Sequence, residues 1–186
     1  MPGSPALPRK PFWFLRHGQT DFNRQGLAQG MVDMPLNETG RAQAREAATL
    51  LADRGIIAIF CSPLQRARQT AAIVNETLHL PVTCEPELRE AAYGEMEARP
   101  MAEWFHRWIA GDFTPAGGES FAELGERAAQ AMRSILRSPG LALVVAHGSL
   151  FRGLRKQMGM PYTLPTPNGQ PLYCEPLAAG GWRIGS

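Results

Sequence analysis

The sequence predicts an α/β fold, a three-layer α/β/α sandwich with a largely parallel central sheet. Two observations predict it. Short apolar runs typical of buried strands alternate along the chain with stretches in which apolar residues recur at helical spacing. The chain of 186 residues also has the size of one ordinary domain, so these elements are expected to share one core. A sheet built this way is covered by helices on both faces.

The first half of the chain contains two strand–helix pairs. Residues 12–15 are apolar and aromatic and stop abruptly at the tripeptide 16–18, as a buried strand does where it ends in a loop. Small and apolar residues at helical spacing from 44 to 51 predict the first helix. A second strand is predicted at residues 56–60, and a second helix at 64–78.

The second half begins with a region of weak signals. Residues 85–118 contain few periodic apolar positions apart from 104–109, which predict a short helix. Ser120 and Glu123 then have the spacing of a capping box, which marks the start of a longer helix. The remaining predicted elements are a strand at 141–146, a helix at 150–158 and a hairpin pairing 172–175 with 182–184.

Composition describes a folded chain of balanced charge. A single domain is predicted at residues 11–186, after a flexible Pro-rich tail at residues 1–10. Apolar residues make up 44% and charged residues 19%, which argues against extensive disorder. The formal net charge of +2 argues against binding to nucleic acid or a membrane surface. No apolar run approaches the roughly 18 residues that a membrane span requires.

The cysteines and the N-terminal residues predict a cytoplasmic location. Cys61, Cys84 and Cys174 are odd in number, widely spaced and without a CxxC pair. A disulfide scaffold or a cysteine-based zinc site is therefore not expected, and a reducing compartment is favoured. Residues 1–10 also lack the apolar segment of a secretory signal.

Three predicted strand ends carry side chains suited to an anion. Arg16 and His17 follow the first strand, Arg66 lies just past the second, and His147 follows the strand at 141–146. Because ligands of such sheets bind beyond the carboxyl ends of the strands, we expect these four residues at one rim. Two guanidinium and two imidazole groups at one rim form an anion pocket.

This pocket suggests phosphoryl chemistry. A guanidinium presents a planar fork of donors that matches phosphate oxygens and stays charged at any working pH. A neutral imidazole is a competent nucleophile, and its reference pKa near 6.5 makes that form available around neutrality. A helix starting after Gly148 would add backbone N–H groups. Because the leaving alkoxide needs a proton, a carboxylic acid is expected nearby.

Four ordered segments resemble the histidine phosphatase superfamily, also called phosphoglycerate-mutase-like. They are FLRHGQTDFN (14–23), GMVDMPLNETGRAQA (30–44), CSPLQRARQTA (61–71) and VVAHGSLFRGL (144–154). The resemblance spans roughly residues 12–155. One such tripeptide would occur by chance, whereas four in order are highly specific. The phosphatase branch, including alpha-ribazole phosphatase and broad-specificity phosphatases, is the most similar.

The resemblance implies a role for each matching residue. His17 would be the phosphorylated nucleophile, and Glu90, in ELREAAYGEME (87–97), would be the general acid and base. The residues expected to bind the phosphoryl group are Arg16, Asn23, Arg66, His147 and Gly148. The implied reaction proceeds in two steps through a phosphohistidine and uses neither a metal nor an organic cofactor.

Three functions compete within this prediction. A phosphomonoesterase acting on small phosphorylated metabolites is favoured. The span from Glu90 to GGES (117–120) is short, whereas the resemblance implies that dedicated mutases carry longer insertions there, which exclude water from the phosphohistidine. A phosphoglycerate mutase is the alternative enzyme, and a phospho-ligand binding domain is the alternative without catalysis. A cysteine phosphatase is excluded because only four residues separate Cys61 from Arg66.

The expected partner is a small phosphate ester, with no nucleic acid and no membrane. The oligomeric state stays open, with a homodimer among the options. Two departures from the family pattern leave substrate preference undefined: Ala98 and Ser149 stand where glycine is frequent. Three aromatic residues of the short helix, Trp104, Phe105 and Trp108, are predicted to be core residues, with a place at the substrate mouth as the alternative.

Overall fold

The computed structural model describes residues 6–185 and has one six-stranded mixed sheet. The strands are β1 (Phe12–Arg16), β2 (Ile56–Cys61), β3 (Val82–Cys84), β4 (Leu141–Ala146), β5 (Pro171–Pro176) and β6 (Trp182–Gly185). Their spatial order is β3-β2-β4-β1-β5-β6. The pairings among β1, β2, β3 and β4 are parallel, and those that add β5 and β6 are antiparallel. The predicted largely parallel sheet is confirmed.

Six α-helices accompany the sheet in this described part of the chain. They are α1 (Asp21–Gln25), α2 (Glu38–Leu51), α3 (Gln65–Leu78), α4 (Glu103–Ala110), α5 (Phe121–Arg137) and α6 (Gly148–Gln157). Each helix predicted from apolar spacing is present, with bounds that differ by a few residues. The predicted capping box is also present, since the Ser120 hydroxyl accepts from the Glu123 amide and the Glu123 carboxylate accepts from the Ser120 amide.

Successive side chains of the central strands point to opposite faces, so each face has its own core. Phe12 and Phe14 of β1 pack with residues of α4, α5 and α6. Trp13 and Leu15 pack on the other face, with residues of α2 and α3. This arrangement confirms the predicted three layers. Among residues 6–185, no helix combines the length and the apolar character needed to cross a membrane.

Four short elements are absent from the sequence prediction. β3 is three residues long and entirely exposed at the sheet edge, so it has no apolar pattern to detect. Helix α1 has no buried residue and begins with its own capping box, formed by Thr20 and Asn23. Two three-residue 3-10 helices, Pro86–Leu88 and Gly94–Met96, lie in the region of weak signals.

The predicted flexible tail lies partly outside the described residues, which begin at residue 6. In its described part, Leu7 packs against the core and the Arg9 guanidinium donates to the carbonyl of Leu177. The boundary between tail and domain at residue 10 stays a prediction.

Candidate active site

The parallel pairing of β1 with β4 brings the two predicted histidines together. Arg16 is the Cα partner of Ala146, and the amide of His17 donates to the Ala146 carbonyl at 2.9 Å. Because both strands end at the same rim, His17 and His147 leave the sheet side by side. Their ring centroids lie 5.2 Å apart.

A cavity of about 150 Å³ lies at this rim. It is lined by six of the seven predicted site residues, Arg16, His17, Asn23, Arg66, Glu90 and Gly148. The seventh, His147, is fully buried and lies against His17, outside the cavity wall. The structure therefore brings all seven residues to one place. The cavity is below the 300–1,000 Å³ typical of drug-sized ligands, which suits a phosphoryl group and a short alcohol.

His17 is held in the tautomer that a nucleophile needs. Its Nδ1 lies 2.7 Å from the carbonyl oxygen of Gly18. A carbonyl can only accept, so Nδ1 carries the proton and the lone pair is on Nε2. Burial lowers the pKa of His17 well below its usual value, and the nearby charges of Arg66 and Arg16 lower it further. The ring is therefore neutral at neutral pH.

His147 is neutral for the same physical reason. Burial lowers its pKa well below the usual value, with the charge of Arg66 as the next cause. Its Nε2 lies 2.6 Å from the Ser62 hydroxyl, whereas its Nδ1 is buried and has no hydrogen-bond partner among residues 6–185. That nitrogen is the one free to reach a further group.

The two arginines are anchored by some of their donors and keep others free. Arg16 Nη1 donates to the carbonyl of Thr166 at 2.6 Å, and Arg66 donates to the carbonyls of Val32 and Gly30 at 2.9 and 2.8 Å. The Nε atoms of both side chains are buried and unpartnered within the described chain. Since buried donors are normally satisfied, these atoms indicate an acceptor that binds here.

Glu90 lines the anion pocket, and its carboxylate lies against the first turn of α6. Its Oε1 accepts from the amides of Ala91 and Leu150 at 3.0 and 2.9 Å, and its Oε2 accepts from the amide of Ser149 at 3.0 Å. Glu90 is 7% exposed and lines the cavity. Its Oε2 makes one hydrogen bond to these amides, against two for Oε1, so it is the oxygen with more capacity for a further proton.

Asn23 combines the two roles that its sequence position suggests. It completes the capping box of α1, because its Oδ1 accepts from the Thr20 amide at 3.2 Å. The Nδ2 of Asn168 also donates to that oxygen, at 3.2 Å. These bonds do not use the Nδ2 of Asn23, and Asn23 lines the cavity. The side chain is therefore fixed by its oxygen and can donate from its nitrogen.

Two glycines bring the loop after His17 against the start of α2. A Cβ built on Gly18 would lie 2.3 Å from the carbonyl oxygen of Gly40, a distance at which the backbones must separate. The amide of Gly18 also donates to Thr70 of α3 at 3.0 Å. The loop after His17 is thus held by two helices, and no side chain larger than hydrogen fits at the contact of Gly18 with Gly40.

The departures from the family pattern have structural consequences. Ala98 has a φ of 60°, in the left-handed region that favours glycine. The Ser149 hydroxyl hydrogen-bonds to the hydroxyl of Tyr93, which lines the cavity. Of the aromatic residues of α4, Trp108 is fully buried, as predicted, whereas Phe105 packs in the core and also lines the cavity.

Sequence reasoning missed several residues around the site. Arg152 lines the cavity and also lines a second cavity of about 320 Å³ beside it. Arg152 lies one helical turn after Gly148 on α6, so the second histidine motif contained a usable signal. Ser62, which contacts His147, follows β2 within the CSPLQRARQTA segment. Its position in that motif could likewise have identified it from the sequence.

The chain is similar to known phosphatases and mutases. The sequence model of the histidine phosphatase superfamily (branch 1) matches residues 12–170. A Bacillus subtilis protein named uncharacterized phosphatase PhoE is 38% identical over 142 residues, which cover 75% of this chain and 72% of that protein. A Yersinia enterocolitica protein named probable phosphoglycerate mutase GpmB is 37% identical over 149 residues, covering 73% and 68%.

A solved structure has the same fold. The crystal structure of the alpha-ribazole phosphatase from Shigella flexneri matches with a TM-score of 0.79 and 28% identity, covering 94% of this chain and 95% of that one. The fold and the phosphatase-branch resemblance expected from the motifs are confirmed. The chain belongs to branch 1 of the histidine phosphatase superfamily, whose enzymes act on phosphate monoesters.

Proposed function

We propose that this protein hydrolyses small phosphate monoesters through a covalent phosphohistidine on His17, with Glu90 as general acid and base. One observation carries the proposal. Three buried polar atoms without a partner in the described chain, the Nε of Arg16, the Nε of Arg66 and the Nδ1 of His147, surround the nucleophile. Such groups are costly to bury unpaired, and a phosphoryl group supplies acceptors for all three.

In the first step, Nε2 of His17 attacks phosphorus and the P–O bond to the alcohol breaks. The electron pair of that bond goes to the leaving oxygen, which takes a proton from Glu90. The guanidinium groups of Arg16 and Arg66 bind the phosphoryl oxygens, on which negative charge is concentrated. Nδ1 of His147 donates to one of these oxygens as a neutral hydrogen-bond donor, in line with its lowered pKa.

In the second step, water attacks the phosphohistidine. Glu90, now a carboxylate, accepts a proton from the water, the new P–O bond forms and the N–P bond breaks. His17 recovers its lone pair on Nε2, and inorganic phosphate leaves. The protonated Nδ1 of His17 donates to the Gly18 carbonyl in both steps, so the imidazole ring keeps the same tautomer throughout.

The leaving alcohol extends toward Arg152. This side chain lines both the first cavity and the second, and its guanidinium carbon lies 5.7 Å from the ring centroid of Phe105. The second cavity is lined mainly by apolar side chains of α4, together with Tyr162. The leaving group is therefore expected to be short and polar near Arg152, with space for a larger apolar part beyond it.

Hydrolysis is favoured over transfer. Residues 91–118 form the part of the chain beside the acid, and they contain one three-residue 3-10 helix, Gly94–Met96, and the eight-residue α4. A mutase must keep water from its phosphohistidine, which calls for a more extensive cover than these elements supply. The name of the Yersinia relative keeps mutase activity as the second candidate.

Location and assembly are proposals of the same kind. We expect a cytoplasmic enzyme whose partner is a small metabolite, because Cys61, Cys84 and Cys174 are all unpaired. We expect neither nucleic acid nor a membrane surface as a partner, given the formal net charge of +2. A homodimer is compatible with this function, and the active site proposed above uses residues of one chain only.

A phosphate-release screen over a broad library of small esters tests the proposal. Brief reaction followed by intact-protein mass spectrometry is expected to show the gain of one phosphoryl group, mapped to His17. Addition of a chelator should leave the rate unchanged, because guanidinium groups take the place of a metal. Phosphoryl transfer that greatly exceeds phosphate release would favour the mutase, and no labelling by any donor would favour a binding domain.

A further inference from the structure

The side chain of Arg127, on α5, is 8% exposed and uses every N–H of its guanidinium. Nε and Nη2 donate to the two carboxylate oxygens of Glu119, each at 2.8 Å. Nη1 donates to the carbonyls of Glu87 and Arg89 at 2.7 and 2.9 Å, and Nη2 donates to the carbonyl of Glu90 at 3.3 Å. Five donors therefore make five hydrogen bonds, three of them to the main chain that leads into Glu90.

We propose that Arg127 and Glu119 form a positioning pair that aims the Glu90 carboxylate at the leaving oxygen. The inference rests on the proposed role of Glu90 and adds two residues that do not line the cavity. Arg127 acts through the backbone of residues 87–90, and Glu119 acts through Arg127.

The backbone around Glu90 needs such support because it has little regular structure. The preceding 3-10 helix, Pro86–Leu88, is a single turn, and Glu90 itself lies in an irregular segment. Glu90 accepts hydrogen bonds from two helices, α5 and α6. Arg127 of α5 donates to the Glu90 carbonyl, and the amides of Ser149 and Leu150 in the first turn of α6 donate to its carboxylate.

The two helices that hold Glu90 pack in close contact. A Cβ built on Gly153 of α6 would lie 3.0 Å from the Cα of Gly125 of α5. This near-contact of backbones sets the separation between the two sets of donors. The carbonyl of Glu90 is bound to α5 through Arg127, and its carboxylate is bound to α6. Because these two helices are in close contact, the directions in which the carboxylate can point are limited.

Glu119 has a distinct task within the pair. Both oxygens of its carboxylate are used by Arg127, so the fork–fork geometry orients the guanidinium and balances its charge. Without Glu119, a buried positive charge beside the acid's backbone would be uncompensated.

Leaving-group dependence separates positioning from simple structural support. In Arg127→Met, kcat/KM for alkyl phosphates, which need a full proton, is expected to fall by about tenfold or more relative to kcat/KM for dinitrophenyl phosphate. Competitive inhibition by inorganic phosphate should change little, because Arg16 and Arg66 are anchored by other residues. Arg127→Lys should recover part of the lost ratio, since an ammonium can still donate to the backbone carbonyls.

Arg133→Met is the matched control, because Arg133 lies on the same helix and pairs with Glu126 at 2.8 Å. It is expected to leave the alkyl-to-aryl ratio unchanged. If Arg127→Met does not fold, Glu119→Gln provides the same comparison, with a smaller loss in the same direction. Equal losses on both ester classes would overturn the positioning role.

Labelling distinguishes this failure from failure of the proposed function. Suppose that the wild-type protein forms phosphohistidine and that Arg127→Met slows hydrolysis of both ester classes equally. This result would refute the positioning pair alone. A wild-type protein that forms no phosphohistidine would refute the proposed function, and the positioning pair with it.

Discussion

The two halves of the active site are built in different ways. The strand-end half consists of Arg16, His17, Arg66 and His147, which follow strands or begin a helix beside them. Its backbone continues the sheet ladder, as in the bond from the His17 amide to the Ala146 carbonyl. The acid half, residues 85–118, has short helical turns, and side chains hold its backbone in place.

Individual contacts make this difference concrete. In the acid half, Glu97 Oε1 accepts from the amide of Met31 at 2.9 Å, and the Trp108 indole donates to the carbonyl of Glu119 at 2.8 Å. Such bonds depend on one side chain each, whereas a strand position is supported by neighbours on both sides. The backbone path of the strand-end half therefore depends mainly on the sheet, and that of the acid half depends mainly on individual side chains.

The largest expected effect breaks the strand-end half at its nucleophile. His17→Asn removes the attacking nitrogen and keeps a polar side chain of smaller size. Phosphate release from every ester should fall by roughly 10⁴-fold or more, as with other covalent nucleophiles. Initial-rate assays on alkyl and aryl esters measure it, with circular dichroism as a check on the fold. Retention of more than about a hundredth of the activity would show that another group attacks.

The next effect isolates the acid half. Glu90→Gln keeps the size and the acceptor oxygen of the side chain but cannot deliver a proton. We expect kcat/KM for alkyl phosphates to fall by about 10²- to 10⁴-fold, and kcat/KM for dinitrophenyl phosphate to fall far less, because transfer from that ester to His17 needs little protonation of the leaving group. The measurement is a plot of log kcat/KM against the pKa of the leaving alcohol. An equal drop across the series would mean that the acid is another residue.

The contrast between the halves also explains what could be predicted from the sequence. The strands at residues 12–15 and 141–146 are apolar throughout, so their ends are visible, and the rule that ligands bind at strand ends placed His17 and His147 together. The prediction of Glu90 depended instead on the family resemblance. Nothing in its apolar pattern distinguishes it from the other glutamates of that region.

The remaining residues depend on long-range contacts that no local pattern encodes. Arg127 donates to carbonyls about 40 positions earlier in the chain. These acceptors are backbone atoms, which every residue type has, so no sequence pattern marks them. β3 was missed for a related reason, because an exposed three-residue edge strand has no buried face. The fold was therefore predictable where buried residues recur periodically along the chain. It was not predictable where individual side-chain hydrogen bonds determine the course of the backbone.

A pH profile sharpens the description of the strand-end half. Burial, with Arg66 and Arg16, lowers the pKa of His17, so the neutral nucleophile persists below the ordinary histidine pKa. For an activated aryl phosphate, which does not depend on Glu90, the acidic limb of kcat/KM should lie below about pH 6.5. A limb centred at or above that pH would show that His17 is not desolvated in this way.

Acidification should also weaken the fold. The folded-state pKa values of His17 and His147 are lower than those of the unfolded chain, so the unfolded chain binds more protons in acid. The stability contributed by the neutral rings is fully present above about pH 6.5 and declines as the pH falls toward the folded-state values. Thermal unfolding at several pH values measures this decline. His147→Asn should reduce its slope, and an unchanged slope would contradict the assignment.

The smallest expected effect is that of the capping box of α5, which is compared below with the capping box of α1. The Ser120 hydroxyl accepts from the Glu123 amide at 3.2 Å and caps α5, outside the cavity lining. Ser120→Ala should lower the free energy of unfolding by about 1 kcal/mol. For a chain of this size, that corresponds to a Tm lower by about 2–4 °C. The value of kcat/KM should remain within about twofold of wild type, because the backbone of Glu90 is held by Arg127.

Thr20 is the matched residue of the strand-end half. It is fully buried, and its hydroxyl accepts from the Asn23 amide at 3.2 Å and donates to Gln29 at 2.9 Å. Since Asn23 and Gln29 both line the cavity, Thr20→Val should reduce kcat/KM by about tenfold or more in addition to lowering Tm. If Ser120→Ala reduced kcat/KM as strongly as Thr20→Val, the two regions would not be mechanically separate, because a cap outside the cavity would then control the chemistry as directly as one beside it.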